Sequence, residues 1–176
     1  PVFRIRLNAC GSIDLVALKE TLLAAPRVKL LSLHHVQNET GATQCLTDIL
    51  AVFDECYQSH TRRPIVHLDA IQSVGKIPVN LLSLGVDLLS ISGHKHGAPK
   101  GVGALILGER YLDYPDPKLP PLLLGSTQQN GMRPGTVPVP LIGAFTVALE
   151  QSVAHLTEHS KKLEKLRTTL LELLPL

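Results

Sequence analysis

The chain has 176 residues, 44% of them apolar, which is enough for one packed domain. A formal charge of +2, scarce aromatics and no Trp exclude the basic, stacking surface of a nucleic-acid binder. No run is apolar for long enough to span a bilayer, and the N-terminal PVFRIRLNAC has no basic region followed by an apolar stretch, so no signal peptide is expected. The three cysteines, Cys10, Cys45 and Cys56, have no metal-like spacing and read as reduced, buried or half-buried thiols in a cytoplasmic or mitochondrial protein.

Apolar runs alternate with helical patterns along the chain, which predicts an α/β fold with a mostly parallel sheet. Asp14 caps a first helix that begins at Leu15, and Pro26 is expected to stop it. Residues 28–36 (VKLLSLHHV) read as a buried strand, followed by the polar turn Gln37-Asn38-Glu39-Thr40-Gly41. A second helix covers 47–57, capped by Thr47 or Asp48, and residues 65–69 (IVHLD) form a strand that ends on a carboxylate. A short polar helix at 81–84 leads into a strand at 87–92 (DLLSIS), which runs directly into Gly93-His94-Lys95. A last strand covers 103–107 (GALIL). Residues 111–135 are rich in Pro, Gly and Gln, and an irregular stretch of that length points to function or a subunit contact. Beyond Pro138 one helical pattern runs almost to residue 174. A single helix on the order of 35 residues would extend ~50 Å and leave the main body.

Ligands of parallel α/β sheets bind at the carboxyl ends of the strands. Asn38, Asp69 with Gln72, and Ser92 with His94 and Lys95 all fall there. Each has an unspecific reading on its own: a turn former, a helix cap, a solvated lysine. Together they suit a pyridoxal 5'-phosphate (PLP) site. A carboxylate can pair with the pyridinium nitrogen, amides can bond the phenolic oxygen, hydroxyl and imidazole can hold phosphate, and a lysine can form the Schiff base. A metal reading of His34-His35, His67-x-Asp69 and His94-x-His96 leaves Lys95 and Gln72 unexplained, so no metal is expected. His155 and His159 share a helix face without a third ligand and read as solvated.

Four segments sharpen this reading: HHVQNETGATQ, HLDAIQSVGKIPV, GVDLLSISGHKHGAPKGVGALIL and GMRPGT. In order and spacing they resemble the successive motifs of the NifS-type cysteine desulfurases, which are fold-type I PLP enzymes of the class V aminotransferase group and close to selenocysteine lyases. The resemblance runs from about residue 31 to residue 140. It implies that Lys95 carries the cofactor and acts in catalysis with His94. It further implies that Asp69 faces the pyridine nitrogen, Gln72 and Asn38 the phenolic oxygen, and Ser92 and His94 the phosphate. Thr136 would reach the phosphate of a partner subunit in a homodimer, and Arg133 has a structural or interface role. The implied substrate is L-cysteine or L-selenocysteine, with a sulfur-acceptor protein as a further partner and no nucleic acid or membrane. A non-catalytic homologue is the alternative from another class.

The departures from the family pattern are Gln37 in place of a first asparagine, Ala98 in place of a glycine, and Gly125-Ser126-Thr127-Gln128-Gln129-Asn130 in place of a charged, glycine-rich stretch. The chain is expected to be a central fragment. Residues 1–137 would belong to the PLP-binding large domain, and 138–176 would form the long helix leading toward a small domain with the sulfur-accepting cysteine.

Overall fold

The computed structural model describes residues 1–25, 27–58, 63–113 and 120–174. Among these, four strands form one sheet in the order β1-β2-β3-β4: β1 (Leu30–His34), β2 (Ile65–Asp69), β3 (Leu88–Ser92) and β4 (Gly103–Leu107). β1, β2 and β3 are parallel, with His34 opposite Asp69 and Asp69 opposite Ser90, while β4 runs antiparallel to β3. The α/β class and the mostly parallel sheet are as expected. The antiparallel strand follows from the short connection after β3, because a parallel return needs a crossover of a dozen residues or more.

Helix α1 (Leu15–Ala24) starts where Asp14 accepts hydrogen bonds from the Val16 and Ala17 amides, each at 3.0 Å. Its last turn closes with Ala25 N–H on Thr21 O, and Pro26, expected to stop it, lies outside the described residues. Helix α2 (Leu46–Tyr57) begins one residue earlier than expected, with Cys45 at the cap position and no side-chain cap. The cause is Gln44, which is buried and anchored at both ends of its amide. It accepts from Ile13 N at 2.8 Å and donates to Gly11 O at 3.0 Å, so the helix must turn directly after it. Thr47 and Asp48 therefore lie inside the first turn, where Asp48 complements the positive helix end.

Strand periodicity decides which residues meet these helices. Leu31, Leu33, Val66, Leu68, Leu89 and Ile91 are buried on one sheet face, against Leu18 and Leu22 of α1 and Ile49 and Phe53 of α2. The alternate residues Ser32, His67 and Ser90 face the other way. They form a hydrogen-bonded row across three strands, with Ser32 Oγ on His67 Nδ1 and His67 Nε2 on Ser90 Oγ, both at 2.8 Å. Burial pushes the His67 imidazole below its ordinary value, partly offset by the Asp69 carboxylate.

Helix α3 (Leu81–Leu84) is capped by Asn80 Oδ1, which accepts from Leu82 N, and it leads to Asp87, which is wholly buried. Helix α4 (Glu109–Leu112) presents Arg110 to Asp87 in a two-pronged ion pair at 2.6 and 2.5 Å, while Asp87 also accepts from Val66 N at 2.6 Å.

The expected single C-terminal helix is two helices, α5 (Val139–Ala154) and α6 (Leu156–Leu173), bent by 68°. The break falls at His155, whose backbone adopts φ −101°, ψ 14° and whose Nδ1 lies 3.0 Å from Gln151 O. A side chain in contact with the carbonyl ladder at a residue in the bridge region is a sufficient cause of a kink. Among the described residues no single helix is long and apolar enough to cross a membrane.

The cysteine expectation is corrected: Cys10 and Cys45 are exposed and only Cys56 is half-buried. Cys10 sits on the tight turn closed by Asn8 N–H on Ser12 O, and Cys45 is held at the surface by the start of α2. Hydrogen bonds from Ser12, followed by one involving Asn8, lower the Cys10 thiol from its ordinary value.

Candidate functional site

The parallel arrangement puts the carboxyl ends of β1, β2 and β3 side by side, and the loops that leave them build one cavity of about 310 Å³. Asn38, Asp69, Gln72 and Lys95 line it, joined by His34, Val36, Gln37 and Ile71. A volume of this size lies at the lower end of small-molecule sites.

Each side chain is set by its local backbone. After β1 the chain folds back through a bridge between Val36 and Thr43. Gln37 Oε1 accepts from the Glu39 and Thr40 amides, both at 2.6 Å, which wraps the turn around Gln37 and leaves Asn38 exposed at the cavity. The substitution of Gln37 for asparagine is thus absorbed by turn geometry. Asp69 ends β2 half-buried, and its Oδ1 accepts from Ile71 N at 3.0 Å. Gln72 follows on a run of turns, and its Oε1 accepts from Lys76 Nζ at 2.5 Å. β3 passes into a 3-10 turn (Gly93–Lys95) that carries Lys95 to the cavity, where its side chain is exposed.

Ser92 and His94 do not line this cavity; Ser92 Oγ and His94 Nδ1 share a hydrogen bond of 2.8 Å beside it. Thr136 is exposed in the loop before α5, also outside the cavity, and Arg133 Nη1 donates to Gly135 O at 2.9 Å. In the divergent stretch 125–130, Gln129 and Asn130 adopt left-handed backbone at φ 51° and 55°. Ala98 is buried in the core without left-handed backbone, and the loop turns instead at Gly97 and Gly101. The missing glycine is therefore tolerated.

Reasoning from sequence missed His34 as a lining residue. Its signal was the register, since the strand position opposite Asp69 faces the same way. Its ring lines the cavity, and its Nε2 is buried with no partner among the described residues. His96, which is outside the cavity lining, is another histidine with a buried ring nitrogen. Its ring stacks on Phe145 with centroids 6.1 Å apart, and its Nε2 is likewise unpartnered. Burial lowers the His96 imidazole, helped by the Lys76 and His94 charges. Among the described residues no group of His, Cys, Asp or Glu is arranged to hold a metal.

The mostly parallel sheet and the helices packed on it have the fold of the NifS-like, fold-type I PLP enzymes, and the family follows from the sequence. The chain belongs to the Aminotransferase class-V family, whose pattern it matches over residues 1–175. Within that family it is similar to the mitochondrial cysteine desulfurase of Drosophila melanogaster, 38% identical over 93% of this chain and 33% of that protein. It is also similar to a cysteine desulfurase of Gluconacetobacter diazotrophicus, 37% identical over 96% of this chain and 39% of that protein. Among solved structures, a NifS-like protein superposes with a TM-score of 0.84 at 33% identity, covering 97% of this chain and 44% of that one. DndA from Streptomyces lividans superposes with 0.79 at 36% identity, over 97% and 45%. The chain spans about a third of the length of the curated relatives it matches. The class V aminotransferases and cysteine desulfurases are PLP-dependent families.

Proposed function

We propose that this chain supplies the lysine-bearing part of the PLP site of a cysteine desulfurase, which takes sulfur from L-cysteine, leaves L-alanine and holds the sulfur as a cysteine persulfide. The observation that carries this reading is the convergence of an amine, a carboxylate and three amides in one cavity at adjacent strand ends. The donor set fits the cofactor: Lys95 for its aldehyde carbon, Asp69 for a protonated pyridine nitrogen, and Asn38 and Gln72 for its phenolic oxygen. The buried, unpartnered His34 Nε2 is a further polar group with capacity for a ligand. Ser92 and His94, already bonded to each other, would hold the phosphate.

When bound, PLP withdraws electrons from the substrate's α-carbon. Lys95 Nζ takes the α-proton as general base, because it is the exposed amine in the lining. His94 holds phosphate and assists proton movement beside Lys95. Asp69 keeps the proton on the ring nitrogen, and its own orientation is fixed by the Ile71 amide. Thr136, exposed on the loop before α5, serves the phosphate site of a second copy in a homodimer. None of Cys10, Cys45 and Cys56 lines the cavity, so the thiol that takes the sulfur comes from other segments of the working enzyme, and a sulfur-acceptor protein receives it next. Residues 1–137 act as part of a large domain, and the helices beyond lead toward a second one.

The test is the visible absorption spectrum of the protein with added PLP, before and after borohydride, with Lys95→Ala beside it. A yellow band that borohydride traps in the wild type and that is lost in Lys95→Ala is the expected result. A band of equal intensity that is still trapped in Lys95→Ala would overturn the assignment. Comparing L-cysteine with L-selenocysteine then decides the substrate. The 176-residue chain by itself is expected to give no sustained alanine production.

A further inference from the structure

We propose that Lys76 is a positioning residue for this cavity: its ammonium holds the Gln72 side chain so that the amide NH2, and not the carbonyl oxygen, faces the cavity. Gln72 lines the cavity and Lys76 does not, yet Lys76 Nζ lies 2.5 Å from Gln72 Oε1. An ammonium group can only donate, so the atom it meets must be the amide oxygen. The planar amide then directs Nε2 away from Lys76. Without that contact a glutamine amide can present either of its ends to a ligand.

The distinction matters for what Gln72 can bind. An NH2 group donates to an anionic oxygen, while a carbonyl turned to the same oxygen repels it. The inference rests on the PLP reading only in naming that oxygen as the phenolic oxygen of the cofactor. The orientation itself follows from the contact.

Lys76 is held in place by its backbone. It lies one turn beyond Gln72, with its N–H on Ser73 O at 3.0 Å and the next residue, Ile77, donating to the same carbonyl at 2.9 Å. Gly75, at φ +70°, lets the chain pass so close to α5 and the 3-10 turn that a Cβ there would lie 2.8 Å from Ser152 Cβ and 2.9 Å from His96 Nδ1. The turn carrying Lys76 is thus wedged against the segment that carries Lys95. Partial burial, and after it the charge of Lys95, lowers the Lys76 ammonium from its ordinary value.

The first test is the Gln72 side-chain amide resonance in isotopically labelled, cofactor-free protein. It should move in Lys76→Met and return toward its wild-type position in Lys76→Arg, which restores a donor, while backbone amides of the core stay unmoved. A Gln72 resonance unchanged in Lys76→Met overturns the proposal. The second test is a cycle on PLP affinity. Lys76→Met should weaken binding by about ten-fold in the wild-type background, the effect of losing one hydrogen bond to an anionic oxygen. It should have no further effect in Gln72→Ala, because the lysine acts through that side chain. Equal losses in both backgrounds also overturn it. If the wild type binds no PLP, the cofactor reading fails, and the resonance test still decides the orientation.

Discussion

Replacing Arg110 by Ala isolates the interaction that joins α4 to the sheet. Asp87 is wholly buried and its carboxylate has three donors: Val66 N at 2.6 Å and the Arg110 guanidinium at 2.6 and 2.5 Å. The substitution leaves the carboxylate buried with the Val66 amide as its partner. Breaking a fully buried pair in this way costs about 3–5 kcal/mol. The Arg110 side chain is 39% exposed, so water replaces part of what is lost and the expectation falls to about 2–3 kcal/mol. For a urea slope of about 1.5–2 kcal/mol/M, the unfolding midpoint should drop by about 1–2 M with the slope unchanged. Arg110→Lys, which keeps the charge but not the two-pronged geometry, should lose about half as much. The pair sits where β2 and β3 begin, at the end of the sheet away from Lys95, so PLP binding by the folded fraction should stay the same. A midpoint shift below about 0.3 M would refute the reasoning, since it would mean the carboxylate is not buried or finds other donors.

Three further outcomes follow from the structure. His35, His67 and His96 all lie below their ordinary value of 6.5, with burial the leading cause in each. The unfolded chain therefore binds more protons near and below that value, so stability is fully present above pH ~6.5 and is lost as pH falls through the window beneath it. Melting temperatures at pH 7.5 and 5.5 check this, and equal values would refute it; His35→Leu should flatten the profile. Gly75→Ala combines a left-handed backbone with the close approach of Ser152 and His96, and should cost about 1–3 kcal/mol in thermal or denaturant unfolding. Phe3, Leu7 and Leu30 are about half exposed around an apolar groove of about 1170 Å³ beside β1. A groove of that kind should drive self-association of this chain, which sedimentation at increasing concentration would reveal and which Leu30→Lys should weaken.

Local features were legible in the residues because they depend on near neighbours. Asp14 caps α1 because its carboxylate reaches amides two and three residues on. β2 ends on Asp69 and β3 runs into Gly93-His94-Lys95 because short apolar runs bounded by polar residues specify strands and their ends. The family motifs likewise sit on contiguous segments, and their order sufficed to indicate the fold. The start of α2 was misread because its cause, the anchoring of Gln44 to Gly11 and Ile13, spans more than thirty residues. The kink at His155 escaped because apolar periodicity does not register one backbone turn and one ring on a carbonyl.

What the tertiary structure alone decided is proximity. Asn38, Asp69 with Gln72, and Lys95 come from three separate strand ends, and the parallel register of β1, β2 and β3 makes one cavity of them. The same register brings His34 into that cavity opposite Asp69. Sequence determines which chemical groups lie at the strand ends, since side-chain identity and local backbone preference are properties of a segment. Their meeting depends on non-local hydrogen bonds between strands and on a core packed from distant residues, which no single segment specifies.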